Sequence, residues 1–429
     1  MIPILNYADR QALQERLLSR SQLTDETVTQ RVKDIVRDVR TRGDAALFEY
    51  TERFDGAKLD AASVQVTPEE IRAAYCAANK SWIDAMREAA ARITAFHEKQ
   101  KQRTWIDFDG GIALGQMVRP LERVGVYVPG GTAAYPSSVL MNVLPARVAG
   151  VREIVMVTPP GADGRVSYPL TLVAADIAGV DRIYKVGGAQ AVAALAFGTQ
   201  SLPRVDKIVG PGNIYVANAK REVYGHCGID MVAGPSEVLV IADGSANPVY
   251  VAADMLSQAE HDPLAAAIVV TDSQELAQRV AAEIDRQAAL LPRREIVDRS
   301  LSRYGTIVAC ENLEQAAQVA NLVAPEHLEL SVAQPFELLG RIQNAGAIFL
   351  GHYAPEPLGD YFAGPNHVLP TSGTARFFSP LNVEDFTKKS SLIYYDRASL
   401  EAVSDDVIRL ARAEGLDAHA NAVAVRFGK

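Results

Sequence analysis

An α/β architecture is what this sequence predicts: two Rossmann-like open parallel sheets flanked by helices, with a helical N-terminal segment and a small extended C-terminal segment. Three observations carry that expectation. From Val124 onward, short β-branched runs alternate with alanine-rich stretches of helical length. The alternation occurs in two successive series. The runs themselves are almost continuously apolar, as strands buried on both faces are. The 429 residues, 48% hydrophobic and 22% charged, have an ordinary globular composition. At roughly 150 residues per domain they accommodate two to three domains.

Residues 1–110 read as mainly helical. Thr67-Pro68-Glu69-Glu70 is a capping box with proline at the first helical position, opening a helix that runs to about Ala78. A second helix over Ser81–Lys101 carries Trp82, Met86, Ile93 and Phe96 at near-helical spacing, and its Trp and Met are expected in the core. Gly110-Gly111 closes this region. A first α/β domain is expected over 111–237, with strands Val124–Val128, Glu153–Val157, Arg182–Val186 and Lys207–Val209. Helices Ser137–Ala149, Pro169–Ile177, Ala189–Phe197 and Ile214–Tyr224 follow them. A second is expected over 238–382, with strands Val238–Ile241, Ala266–Val270, Thr306–Ala309 and Ala347–Leu350. Its helices lie near 248–259, 273–291, 312–323 and 335–344. The stretch His352–Asn382 has no period and is rich in Pro, Gly and aromatics, which marks a functional loop or a crossing to a partner. Residues 383–429 offer a strand at Ser391–Tyr395, helices between Ala398 and Glu414, and a stop at Gly415. They are too few to fold alone and are expected to dock, with another subunit as one host.

Composition excludes several classes. Lys plus Arg is 43 and Asp plus Glu is 52, so the net charge is 43 − 52 = −9, with no sustained basic cluster. Neither nucleic acid nor an anionic membrane is an expected partner. No apolar run approaches the ~18–20 residues that span a bilayer. The opening Met1–Tyr7 lacks the basic and apolar regions of a signal peptide. The three cysteines, Cys76, Cys227 and Cys310, are far apart and form no Cys-x-x-Cys pair. A reducing cytoplasm is the expected compartment.

Open α/β sheets bind ligands at the carboxyl ends of their strands, where glycine turns lead into helices. Four such turns stand out: Val128-Pro-Gly-Gly-Thr132, Val186-Gly-Gly-Ala-Gln190, Gly210-Pro-Gly-Asn213 and Gly234-Pro-Ser-Glu237. None completes the G-x-G-x-x-G fingerprint, so alone they are suggestive only. Metal-type residues say more. Asn247-Pro248 opens a helix and Pro263 ends it, which places Gln258 and His261 in its last turn on one side, beside the negative end of the helix dipole. A last-turn His can equally cap carbonyls. Asp360 and His367 lie in the irregular loop, and His419 just past the C-terminal helix. With Gln258 and His261 they make an N/O set suited to zinc, manganese or cobalt, though each reads equally as a solvated side chain. Glu326-His327, at a proline-broken helix end, could move protons or activate water at neutral pH, or be surface polarity in a turn.

Taken together these segments resemble the histidinol dehydrogenase family in order along nearly the whole chain. The resemblance rests on Gly125-Val-Tyr-Val-Pro-Gly-Gly131, Val186–Gln190, Gly210–Asn213, Ile229-Asp-Met-Val-Ala-Gly-Pro-Ser-Glu237 and Leu256-Ser-Gln-Ala-Glu-His-Asp-Pro263. It continues through Ala324-Pro-Glu-His-Leu328, Gly359-Asp-Tyr-Phe-Ala-Gly-Pro-Asn-His367 and Ala413-Glu-Gly-Leu-Asp-Ala-His419. It implies an enzyme that oxidises L-histidinol to L-histidine through L-histidinaldehyde by two NAD-dependent hydride transfers, with one zinc ion per subunit. It implies Gln258, His261, Asp360 and His419 as zinc ligands, the same four with Ser236, His327, His367 and Glu414 against the substrate, and Tyr127, Gln190 and Asn213 at NAD. Glu326 and His327 take the base roles. The resemblance further implies a homodimer in which Glu414 and His419 complete the partner's site. The rivals are an enzyme of the same fold acting on another small alcohol, a mechanism through a cysteine thiohemiacetal, and a silent NAD or zinc binder.

Overall fold

Strand formation follows the β-branched runs closely. The computed structural model describes residues 2–18, 26–130, 135–232 and 234–428. Its strands are β1 (Ile4–Asn6), β2 (Trp105–Asp109), β3 (Ile112–Pro120), β4 (Arg123–Tyr127), β5 (Glu153–Val157), β6 (Arg182–Tyr184) and β7 (Lys207–Val209). They continue with β8 (Gly228–Ile229), β9 (Glu237–Ala242), β10 (Ala266–Thr271), β11 (Thr306–Ala309), β12 (His327–Ser331), β13 (Ala347–Leu350) and β14 (Thr387–Tyr395). Gly131 and Thr132 of the first glycine turn, and Ala233 ahead of Ser236, lie outside the described residues.

Two compact units result, each made of two stretches of chain rather than one continuous segment: residues 1–100 with 121–386, and residues 101–120 with 387–429. The larger holds two wholly parallel sheets, ordered β6-β5-β4-β7-β8 and β1-β11-β10-β9-β12-β13. Each reverses direction once, between β4 and β7 in the first and between β9 and β12 in the second. Those reversals are the crevices where an open sheet accepts a ligand. The helices cover both faces. Ile154, Met156, Val124 and Val126 pack on one face of the first sheet, and Val155, Val157 and Ile208 on the other. In the second sheet Val238 and Val240 face the helix Pro248–Ala259, while Leu239, Ile241, Leu328 and Leu330 face the opposite layer. The smaller unit is an antiparallel sheet, ordered β14-β3-β2, with helices Arg397–Ala413 and Asp417–Ala424. Among the described residues no helix is long and apolar enough to cross a membrane.

The capping box forms as read: Thr67 Oγ1 accepts from Glu70 N, and Glu70 reaches back to Thr67 N. Several expectations are corrected. Trp82, expected in the core, is 57% exposed. It sits in the first turn of the helix Lys80–Glu98, where side chains lean past the helix start and meet no covering layer. Gly110-Gly111 makes the turn between β2 and β3 rather than a boundary, and residues 4–6 of the helical segment form the edge strand β1 of the second sheet. A helix Arg294–Tyr304, unread in the sequence, precedes β11.

Candidate active site

The site is built where β9 and β12 begin. Glu326 sits in the bend that follows the helix end, and His327 is the first residue of β12, the central strand beyond the reversal, pairing in register with Val238. The approach is tight, since Ala324 takes a left-handed φ of 48° as it ends the preceding helix. Both side chains are buried and both are fastened to Glu237. Glu326 Oε2 accepts from Glu237 N at 2.8 Å, and His327 Nδ1 lies 3.0 Å from Glu237 O. A carbonyl only accepts, so Nδ1 carries the hydrogen and Nε2 keeps the lone pair. That Nε2 has no hydrogen-bond partner among the described residues and lies 3.8 Å from Glu356 Oε1. The expectation of a site at the carboxyl ends of the strands is therefore reversed here, for Glu326 and His327 stand at the amino ends.

Around Nε2 the acids gather. One atom each of His327, Glu356 and Asp360 lie within 4.8 Å of one another, the geometry of a metal-binding group. Asp360, placed in a loop by the sequence, belongs to the short helix Glu356–Tyr361 and lies 3.5 Å from His367 Nδ1. Burial opposes its ionisation, but the hydrogen bond and charge of His367 outweigh this and hold its carboxyl at about 2. Burial, then Asp360, pushes Glu356 up to about 9. Burial likewise pushes the Glu326 carboxyl well above its ordinary range and the His327 imidazole down to about 4, with Asp360, His367 and His261 all near enough to act on that imidazole. His327, Asp360, His367 and Leu358 line a cavity of about 910 Å³. Among the described residues no cysteine lines it, and burial raises the Cys227 and Cys310 thiols to about 12 and 11. The thiohemiacetal alternative loses its nucleophile.

Gln258 occupies the last turn of Pro248–Ala259 as expected, whereas His261 lies two residues beyond that helix and is exposed. The Gln258 side chain is fully buried, yet among the described residues neither its Oε1 nor its Nε2 has a hydrogen-bond partner. A buried amide left this way is costly unless something else engages it. Its neighbour Ser257 reaches Glu356 Oε2 at 3.4 Å, which ties this helix to the acid cluster. Ser236 is half-buried just ahead of β9, and its carbonyl accepts from Ala266 N.

A second set of residues stands at the carboxyl edge of the first sheet, at its reversal. Tyr127 ends β4 and is buried, and its hydroxyl accepts from Gly188 N at 3.1 Å. Gln190 is buried, and both its amide atoms are unpartnered among the described residues. Gly210 follows β7 at φ 116°, and a Cβ there would fall 2.1 Å from Tyr127 O, so no other residue fits. Asn213 caps the helix Ile214–Val223 through its Oδ1. Tyr361 senses both Asp360 and Tyr135, the residue opening the helix after the first glycine turn, so the two sets are neighbours.

Glu414 and His419 lie in the smaller unit, exposed, Glu414 ending the helix Arg397–Ala413 and His419 inside Asp417–Ala424 rather than past it. The sequence reading missed Glu356, Glu237 and Glu329. The only available signal was Pro355-Glu356-Pro357, a proline-marked helix start.

The family model for histidinol dehydrogenase matches residues 18–427. The histidinol dehydrogenase of Caldanaerobacter subterraneus is 60% identical over 412 residues, covering 96% of this chain and 95% of that protein. That of Geobacter sulfurreducens is 57% identical over 414 residues, with 96% of each covered. The crystal structure of histidinol dehydrogenase from Elizabethkingia anophelis superposes with a TM-score of 0.93 at 36% identity, covering 100% of this chain and 98% of that one.

Proposed function

The chain belongs to the histidinol dehydrogenase family, and from that premise we propose that it oxidises L-histidinol through L-histidinaldehyde to L-histidine, the last steps of histidine biosynthesis, in two NAD-dependent hydride transfers. The observation that carries the reading is the convergence of His327, Glu356 and Asp360, together with a buried Gln258 amide that has no hydrogen-bond partner among the described residues. A neutral amide oxygen, an ionised carboxylate and imidazoles form an N/O donor set that fits zinc. Gln258, His261, Asp360 and His419 would hold it. Bound there, zinc would orient the imidazole and amino nitrogens of histidinol, and NAD would accept the hydrides.

The protein's own groups do the proton work. His327 is held as the Nδ1–H tautomer by Glu237 O, so Nε2 is the atom that takes the hydroxyl proton while hydride leaves the carbinol carbon. The aldehyde must then gain water before a second hydride can leave. Glu326, beside His327 Nδ1 at 3.6 Å, is the carboxylate for that water, directly or through His327. Burial raises its proton affinity, so in its ionised form it is a stronger base than an ordinary carboxylate. Ser236, His367 and Glu414 would contact the substrate. Tyr127, Gln190 and Asn213 would line the NAD crevice, and the unpartnered buried amide of Gln190 supports a ligand there.

A homodimer with shared sites is supported by the smaller unit, where Ile408, Ala420 and Ala424 are the buried cluster while Phe108, Ile393 and Leu410 are 78%, 76% and 68% exposed. Glu414 and His419 would then serve the partner's site. A reducing cytoplasm suits the three free cysteines. The test is to count NADH formed per L-histidinol consumed, with and without a chelator. Two per substrate, lost on chelation and restored by zinc, is the expected result. One, with aldehyde released, removes Glu326 from the second step, and none from zinc-loaded protein ends the histidinol reading.

A further inference from the structure

Resting on the zinc reading above, we propose that Glu329 and Asp254 form a positioning pair that brackets together the three elements presenting the zinc and base residues. On β12, Glu329 is two residues beyond His327 and shares its face, because side chains alternate along a strand. Leu328 and Leu330 point the other way into an apolar cluster. Glu329 Oε1 accepts from Glu356 N at 2.8 Å. The helix Glu356–Tyr361 begins at Pro355, which offers no side-chain cap, so this carboxyl from a neighbouring strand satisfies its first N–H. Glu329 also hydrogen-bonds Asp254.

The spacing shows what the bracket holds. Asp254 lies one helical turn before Gln258, Glu329 one strand repeat after His327, and Glu356 one helical turn before Asp360. Each arm of the bracket therefore ends one repeat away from a residue of the site. A helix of six residues has little packing to fix its rotation, and a small rotation would move Asp360. Two carboxyls this close can bond only through a proton between them, and among the described residues the charged neighbours acting on Glu329 are both acids, Asp254 and Glu356. The pair is thus one hydrogen bond deep in the fold rather than an ion pair, and an amide can replace it.

The experiment measures zinc affinity of the full-length protein by competition with a chromogenic chelator, so that turnover plays no part. Glu329→Leu is expected to weaken zinc about 10–100-fold, the usual cost of losing a group that orients ligands. Glu329→Gln should stay near wild type, since its amide oxygen can accept from Glu356 N and its NH₂ can donate to Asp254. Asp254→Ala, at a half-buried helical position, should weaken zinc in the same direction and decides the matter if Glu329→Leu does not fold. Wild-type affinity in Glu329→Leu or Asp254→Ala, alongside an Asp360→Asn control that binds zinc weakly, overturns the bracket and leaves the zinc reading standing. An Asp360→Asn protein with undiminished zinc affinity overturns the zinc reading and the bracket with it.

Discussion

His327 shows how one hydrogen bond decides chemistry. The Glu237 carbonyl takes Nδ1–H, so the basic nitrogen is the one that meets the cavity. His327→Asn is expected to lower kcat about 10²–10⁴-fold, the span of a lost general base. Glu326→Gln should instead bring the yield of NADH per histidinol down from two toward one; an unchanged yield would assign the water step elsewhere. Far from these acids, Asp55 carries its own pH signature. It ends the helix Asp44–Asp55, at the negative pole of the dipole, with Oδ2 buried and unpartnered among the described residues, and burial lifts its carboxyl to about 6. The folded state therefore binds this proton more tightly than the unfolded chain, whose Asp titrates near ~3.9. The resulting contribution is whole below that value and is lost as pH rises through about 6. Asp55→Asn should raise Tm relative to wild type at pH 8 and lose that advantage at pH 4. Melting curves that differ by the same amount at both pH values would contradict the assignment.

At the scale of elements, the Gly210 turn is clamped by a buried pair. Asp230 Oδ2 accepts from Gly210 N at 2.8 Å, Lys220 Nζ donates to Gly210 O at 2.9 Å, and the two side chains pair with each other. Removing one partner of such a pair strands the other charge, so Lys220→Met should cost about 3–5 kcal/mol in denaturant unfolding. It should also raise the KM for NAD, because the turn it frees borders that crevice. A stable variant with wild-type KM would show the clamp to be dispensable. The strand β12 explains why part of the site was hard to read. Buried parallel strands are expected to be continuously apolar, and His327-Leu-Glu-Leu-Ser331 alternates instead, so the sequence reading assigned no strand there. The polar half of that alternation faces Glu356.

For the whole molecule, the prediction concerns subunit sharing. If the smaller unit of each chain completes the partner's site, a His327→Asn chain and a His419→Asn chain fail separately but complement each other. In a mixed dimer one site carries both substitutions and the other carries neither. Random mixing of equal amounts should restore about a quarter of wild-type activity, since half the dimers are mixed and each has one intact site. No recovery after verified exchange of subunits would place both residues in the same chain's site.

The hydrophobic period, the capping box, the glycine turns and the ordered motifs were enough to read the α/β class, most strands and helices, and the family, because these depend on local pattern and on residues close in the chain. Gln258, Asp360 and His367 could be nominated as types of ligand, but not seen to converge. Convergence came from long-range pairing: β9 lying beside β12 brings Glu237 to Glu326 and His327, residues about ninety apart in the chain. The same pairing puts Glu326 and His327 at the amino end of β12, with Glu356 and Glu329 close by. Burial, which turns ordinary acids and imidazoles into groups of altered proton affinity, is a property of that packing and has no trace in any one segment.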